Sequence, residues 1–110
     1  MKRIRIPETD LSVSSMGCGC VNAGLKWEGK NADEVFDAFF DLGGNLYDTA
    51  RVYSDWVPTE VGRSERVLGE WLSRSNKRNE IVLVTKGGHP DMRAKDIDLH
   101  KSRLSKEEME

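Results

Sequence analysis

Apolar and polar residues alternate along this chain with two different periods, and each change of period marks an element. Near the start, Ile4 and Ile6 alternate with Arg3 and Arg5, and Leu11 and Val13 alternate with Ser12 and Ser14. A period of two belongs to a strand. Pro7-Glu8-Thr9-Asp10 has turn chemistry, so residues 2–13 are expected to form a β-hairpin. Ser15 to Val21 is small and glycine-punctuated and reads as a buried strand ending in a loop. Residues 22–30 place the turn formers Asn22, Gly24 and Gly29 around Trp27. The period then lengthens to that of a helix: Val35, Ala38, Phe39 and Leu42 share a face, widened by Phe36 and Phe40. Asn31 and Glu34 have the spacing of a capping box at its start, and Gly43-Gly44 end it. Asn45 to Thr49 is a short strand, and the loop 50–60 carries Tyr53, Trp56 and Pro58. A second helix is expected from about Thr59 to Ser73, on a stripe of Val61, Leu68 and Leu72 supported by Val67 and Trp71. Asn76 to Asn79 turns the chain into the strand Glu80 to Lys86, which Gly87-Gly88 breaks.

After the hairpin the order is strand, helix, strand, helix, strand. That alternation implies an α/β fold with parallel strands and helical crossovers. In such folds the chemistry sits at the C-terminal ends of the strands, here residues 20–30, 48–58 and 86–98. Ser105-Lys106-Glu107-Glu108 has the spacing of another capping box, and the sequence stops two residues later. A lone helical turn is unstable in water. Three strands cannot close an eight-stranded barrel, which takes roughly 250 residues. The expectation is therefore a partial barrel: hairpin 1–14, then three βα units and the start of a third helix over 15–110.

Composition narrows the partners. With 37% hydrophobic and 33% charged residues the chain suits a soluble globular piece. A net charge of −2 supplies no basic field for nucleic acid or an anionic membrane. The longest aliphatic run, Ile81 to Val84, is far too short to span a bilayer. No apolar stretch follows the charged start, so no secretory signal is read and a cytoplasmic location is expected. Cys18 and Cys20 are one residue apart, and a bridge between them would close a strained ring. His89 and His100 show no pairing pattern with them, and no metal site is expected.

Candidate chemistry lies at two strand ends. Asp48 finishes one strand with Leu46 on its face, and Lys86 finishes another with Val84 and Val82 on its face. If the strands are neighbours, carboxylate and ammonium converge at one rim, either as a structural ion pair or as part of a reactive group. Tyr53, five residues beyond Asp48, can return its hydroxyl over the same rim. A phenol is a poor acid at neutral pH, and an adjacent ammonium stabilises the phenolate, so the three could form a tuned proton donor. The competing reading is a surface tyrosine in a loop. Trp27 and Trp56 could wall a substrate pocket or pack their loops down. Gly17-Cys18-Gly19 lacks the third glycine of a dinucleotide fingerprint, and its helix begins too late.

Taken in order, these segments resemble the aldo-keto reductase family. Gly43 to Ala50 resembles its glycine-to-D-T-A segment, and Tyr53 sits where the family places its catalytic tyrosine. Glu65-Arg66-Val67-Leu68-Gly69 resembles the E-x-x-L-G of the second helix, and Val84-Thr85-Lys86 the strand that delivers a lysine. The hairpin resembles the one that plugs the bottom of the family's barrel, and Ser102-Arg103-Leu104-Ser105 a segment ahead of the third helix in bacterial members. The resemblance implies the N-terminal part of a (β/α)8 barrel and hydride transfer from NAD(P)H to an aldehyde or ketone, with NADP(H) preferred to NAD(H). It implies Tyr53 as general acid, Lys86 tuning it, and Asp48 paired with Lys86 near the cofactor. Gly19, Cys20 and Val21 would touch the nicotinamide, and Trp27 and Trp56 would line the site of a small carbonyl substrate. The family's histidine at the end of the fourth strand has no counterpart in these residues, so they are expected to reduce no carbonyl alone. Two other readings stay open: a non-catalytic cofactor-binding or regulatory barrel, and a truncated fragment that self-associates through open sheet edges.

Overall fold

The computed structural model describes residues 1–93 and 96–109. Strands β1 (Arg3–Arg5) and β2 (Ser12–Ser14) pair antiparallel, with Ile4 opposite Val13. This is the expected hairpin. It is fastened to the rest through Ser14 and Asn45: the Ser14 amide donates to Asn45 Oδ1 at 2.7 Å, and the Asn45 amide donates to Ser14 Oγ at 3.0 Å. Asn45 lies just before the fourth strand along the chain, so the hairpin sits at that strand's N-terminal end.

Three short strands, β3 (Gly17–Gly19), β4 (Leu46–Asp48) and β5 (Val82–Val84), form a parallel sheet in the order β3-β4-β5. Their register sets Cys18, Tyr47 and Leu83 side by side, and likewise Gly19, Asp48 and Val84. Because side chains alternate, these rows point to opposite faces. The first row meets helices α1 (Gly29–Asp41) and α2 (Arg63–Ser75). Phe36, Tyr47 and Trp71 fill that layer, with ring centroids 5.9 Å (Phe36 to Tyr47), 5.2 Å (Phe36 to Trp71) and 5.1 Å (Tyr47 to Trp71) apart. Each ring contact of this kind adds about 1 kcal/mol to the burial itself. The polar ends are satisfied: Tyr47 Oη donates to the Phe36 carbonyl at 2.9 Å, and Trp71 Nε1 to Asp37 Oδ1 at 2.9 Å. Burial pushes the Tyr47 phenol well above its usual range, so this tyrosine holds its proton in the core.

Three sequence expectations need correction. Helix α1 begins at Gly29 with Glu28 at the N-cap and no side-chain cap, so Asn31 and Glu34 make no capping box. Leu42, expected on the buried face, is 71% exposed, because the helix ends at Asp41 and Leu42 lies past its last turn. Helix α2 begins at Arg63 rather than near Thr59, and Val61 is exposed. The cause is local backbone: Thr59 at φ 97° and Gly62 at φ 71° are left-handed and cannot belong to a right-handed helix. The Asn76–Asn79 turn ends in a turn of 3-10 helix at Arg78–Glu80, and α3 (Lys106–Met109) follows Ser105 as expected.

Candidate active site

Parallel pairing continues past the strand ends. Thr49 N donates to the Val84 carbonyl at 2.8 Å and Arg51 N to the Lys86 carbonyl at 3.1 Å. Asp48 and Lys86 therefore leave the sheet together. The Lys86 ammonium donates to Asp48 Oδ1, to the Thr49 carbonyl at 2.9 Å and to Tyr53 Oη at 3.1 Å. Its nitrogen also lies 4.7 Å from the centre of the Tyr53 ring. An ammonium has three N–H groups, and all three are engaged. Desolvation is the largest single influence on Lys86 and lowers its pKa. The hydrogen bonds and charges of Asp48 and Tyr53 together outweigh it and hold the amine above its ordinary range. Lys86 is thus a fixed cation. Because it donates to the phenolic oxygen, the hydrogen of Tyr53 is left to point elsewhere. The carboxylate, amine and phenol that the sequence placed at one rim meet there.

The loop between β4 and α2 holds Tyr53 in place through contacts with no sequence pattern. The buried Asp55 accepts from the Gly62 amide at 3.2 Å and faces Arg51 at 3.5 Å. Arg63, itself buried, donates to the carbonyls of Gly24 at 3.3 Å and of Val57 and Pro58 at 3.1 Å. Arg93 donates to the Asp55 carbonyl at 3.1 Å, to the Val57 carbonyl at 3.3 Å and to the Glu60 carbonyl. Ser54 Oγ donates to the Val21 carbonyl at 2.8 Å. Ser64 Oγ donates to the Cys20 carbonyl at 2.6 Å, which leaves it to accept from Thr49 Oγ1 at 2.7 Å. Together these bonds lock the exits of β3 and β4 to the start of α2. Sequence reading missed Ser54, Asp55, Arg63, Ser64 and Arg93 as supports. Their partners are mostly backbone carbonyls, which leave no mark in a sequence.

The remaining candidates are spread over the same rim. Gly19 is exposed and in register with Asp48, and a Cβ built on it meets nothing within 4 Å. Val21 is 40% exposed, whereas Cys20 is fully buried and its Sγ donates to the Cys18 carbonyl at 3.4 Å. Its backbone is engaged as well: the Cys20 amide donates to the Asp48 carbonyl at 2.8 Å, and the Cys20 carbonyl accepts from the Ala23 amide at 3.0 Å and from Ser64. The Cys20 expected at the nicotinamide is therefore a support of the rim rather than an exposed contact. Both cysteines are free thiols. The hydrogen bond between Cys18 and Cys20, followed by burial, pushes the Cys20 thiol up, and the same hydrogen bond holds Cys18 down. Trp27 packs edge-on against Phe36 at 6.1 Å, the packing alternative that its position left open, while Trp56 is half exposed. His89 and His100 are exposed.

The sequence model of the Aldo/keto reductase family matches residues 15–110. The chain belongs to the aldo/keto reductase family. Among curated aldo/keto reductase relatives, an aryl-alcohol dehydrogenase of Pestalotiopsis microspora is 36% identical over 101 residues, covering 80% of this chain and 25% of the relative. An NADP(+) aryl-alcohol dehydrogenase of Phanerodontia chrysosporium is 35% identical over 88 residues, covering 73% of this chain and 21% of the relative. A solved aldo-keto reductase of Bacillus halodurans, in its holo form, superposes with a TM-score of 0.66 at 27% identity, over 90% of this chain and 30% of that one. The chain thus spans about a quarter of the length of the curated relatives it matches. Its hairpin, parallel strands and crossover helices are part of the family's (β/α)8 barrel, and membership sets it among oxidoreductases.

Proposed function

We propose that these residues form the first part of a nicotinamide-dependent reductase of aldehydes or ketones, with Tyr53 as the proton donor. The single observation that carries this reading is the bond from the Lys86 ammonium to Tyr53 Oη, with Lys86 fixed in turn by Asp48. As negative charge develops on a carbonyl oxygen, the phenolic hydrogen that Lys86 leaves free moves to it. The fixed ammonium stabilises the phenolate left behind. Asp48 holds the ammonium charged and aimed.

The rim suits a nicotinamide ring. Open space above Gly19 lies in register with Asp48, and the Gly19 backbone lets a flat group approach. Gly19, Val21 and Asp48 would hold the cofactor, with Cys20 buried beneath them, and the cofactor when bound supplies the hydride. The name of the Phanerodontia chrysosporium relative favours NADP(H) over NAD(H). Trp56 and the partly exposed Trp27 would line the carbonyl's site.

In the complete polypeptide that carries this chain, Tyr53→Phe is expected to lower kcat by about 10²–10⁴-fold, the usual contribution of a positioned general acid. NADPH binding, followed by quenching of protein fluorescence, should stay within twofold of wild type, roughly the range of a change outside the contact. A phenylalanine variant that turns over at the wild-type rate would remove Tyr53 from the reaction.

A further inference from the structure

Beside the Asp48–Tyr53–Lys86 group, a surface cavity is lined by Arg51, Lys86, His89 and Arg103, with Gly87 and Gly88. The proton transfer described above uses only Lys86 of these. Among the described residues no carboxylate lines the cavity. Behind it, Asp48 holds Lys86 and Asp55 faces Arg51 at 3.5 Å. The Arg51–Asp55 contact is loose, and the Arg51 side chain is 48% exposed. Lys86 has no N–H to spare and contributes charge alone. The glycines bring the far wall close. Gly88 has φ 81°, a Cβ there would lie 2.1 Å from Leu104 Cδ2, and its carbonyl accepts from the Arg103 amide at 2.8 Å. The left-handed backbone at Gly88 favours glycine, and the bond from the Arg103 amide to its carbonyl carries Arg103 to the rim.

Three permanent cations and an imidazole around one opening concentrate positive potential there. Guanidinium groups match carboxylate and phosphate oxygens with paired N–H donors. We propose that this cavity receives an anionic oxygen group, carboxylate or phosphate, carried by the carbonyl substrate itself. The inference rests on the reductase reading and narrows its substrate class. Lys86 is shared by the cavity and the proton donor, so the two ends of such a substrate lie one side chain apart.

The test compares benzaldehyde with 4-carboxybenzaldehyde in the complete polypeptide, using Arg51→Gln, Arg103→Gln and the charge-preserving Arg51→Lys. Wild type is expected to favour the carboxylated aldehyde in kcat/KM by about tenfold or more, the scale of one hydrogen bond to a charged group. Each glutamine variant should bring that ratio toward one, and Arg51→Lys should restore part of it. A ratio is insensitive to partial loss of folded protein, which lowers both rates alike. Equal use of both aldehydes, unchanged by the variants, overturns the proposal and leaves the reductase standing. Equal weakening of NADPH binding in the glutamine variants also overturns it, because the cavity then serves a cofactor phosphate. If neither aldehyde is reduced, the reductase reading fails and the cavity is judged by binding alone. Benzoate and inorganic phosphate are then titrated while the His89 ring resonances are followed. Saturable shifts that Arg51→Gln abolishes support an oxyanion site and show which anion it takes; the absence of shifts with both ends the idea.

Discussion

Lys86 shows how one residue becomes a fixed charge. Its three donors reach a carboxylate, a carbonyl and a phenol, each supplied by the segment 48–53. This meeting was legible in the sequence, because period-two alternation and parallel strands carry Asp48 and Lys86 to one rim. The supports behind Tyr53 were not legible. Arg63 works through the carbonyls of Gly24, Val57 and Pro58, and carbonyls are common to every residue. One residue does register the contact. Gly24 has φ 85°, and a Cβ there would lie 2.6 Å from Arg63 Cγ. Gly24→Ala is therefore expected to destabilise the fold by about 1–3 kcal/mol, from left-handed strain and displacement of a buried guanidinium. Urea denaturation measures this, and an unchanged midpoint would mean that Arg63 moves aside freely.

At the scale of elements, the order of strands and helices followed from periodicity, and their limits did not. Helix α2 starts four residues later than its apolar stripe suggests, because Arg63 and Arg93 hold the preceding carbonyls in a loop. Helix α1 starts earlier than Asn31, where the chain from Glu28 is tied to α2 instead of to its own cap. That tie is a network: Arg66 meets Glu28 at 2.9 Å, Glu60 at 2.8 Å and Glu70 at 3.1 Å. The hydrogen bond from Arg66 holds the Glu28 carboxyl below its ordinary value of 4.5. A carboxyl lowered on folding stabilises the fold above that ordinary value, and the contribution is lost as pH falls through the folded value. Between pH 6 and 3, wild type should therefore lose more stability than Glu28→Gln. The difference should be small, because solvent screens so exposed a pair. Parallel urea midpoints for the two proteins across that range would show the tie to be inert.

On the scale of the molecule, the sheet ends in two edges. Among the described residues, β3 and β5 each pair on one side only. The face carrying Leu46, Asp48, Val82 and Val84 is only partly buried, with Val84 39% exposed. We propose that the isolated 110-residue chain associates through these edges. Light scattering after size exclusion should give a mass that rises with concentration, and a constant monomer mass would count against it. The same sheet has a consequence for engineering. Cys18, Tyr47 and Leu83 look toward the helices, whereas Gly19 and Asp48 lie on the face of the Lys86 ammonium and the Tyr53 phenol. Thermal robustness and the proposed catalysis are thus written on alternate letters of the same three short words. A laboratory could rewrite one set while leaving the other as it stands.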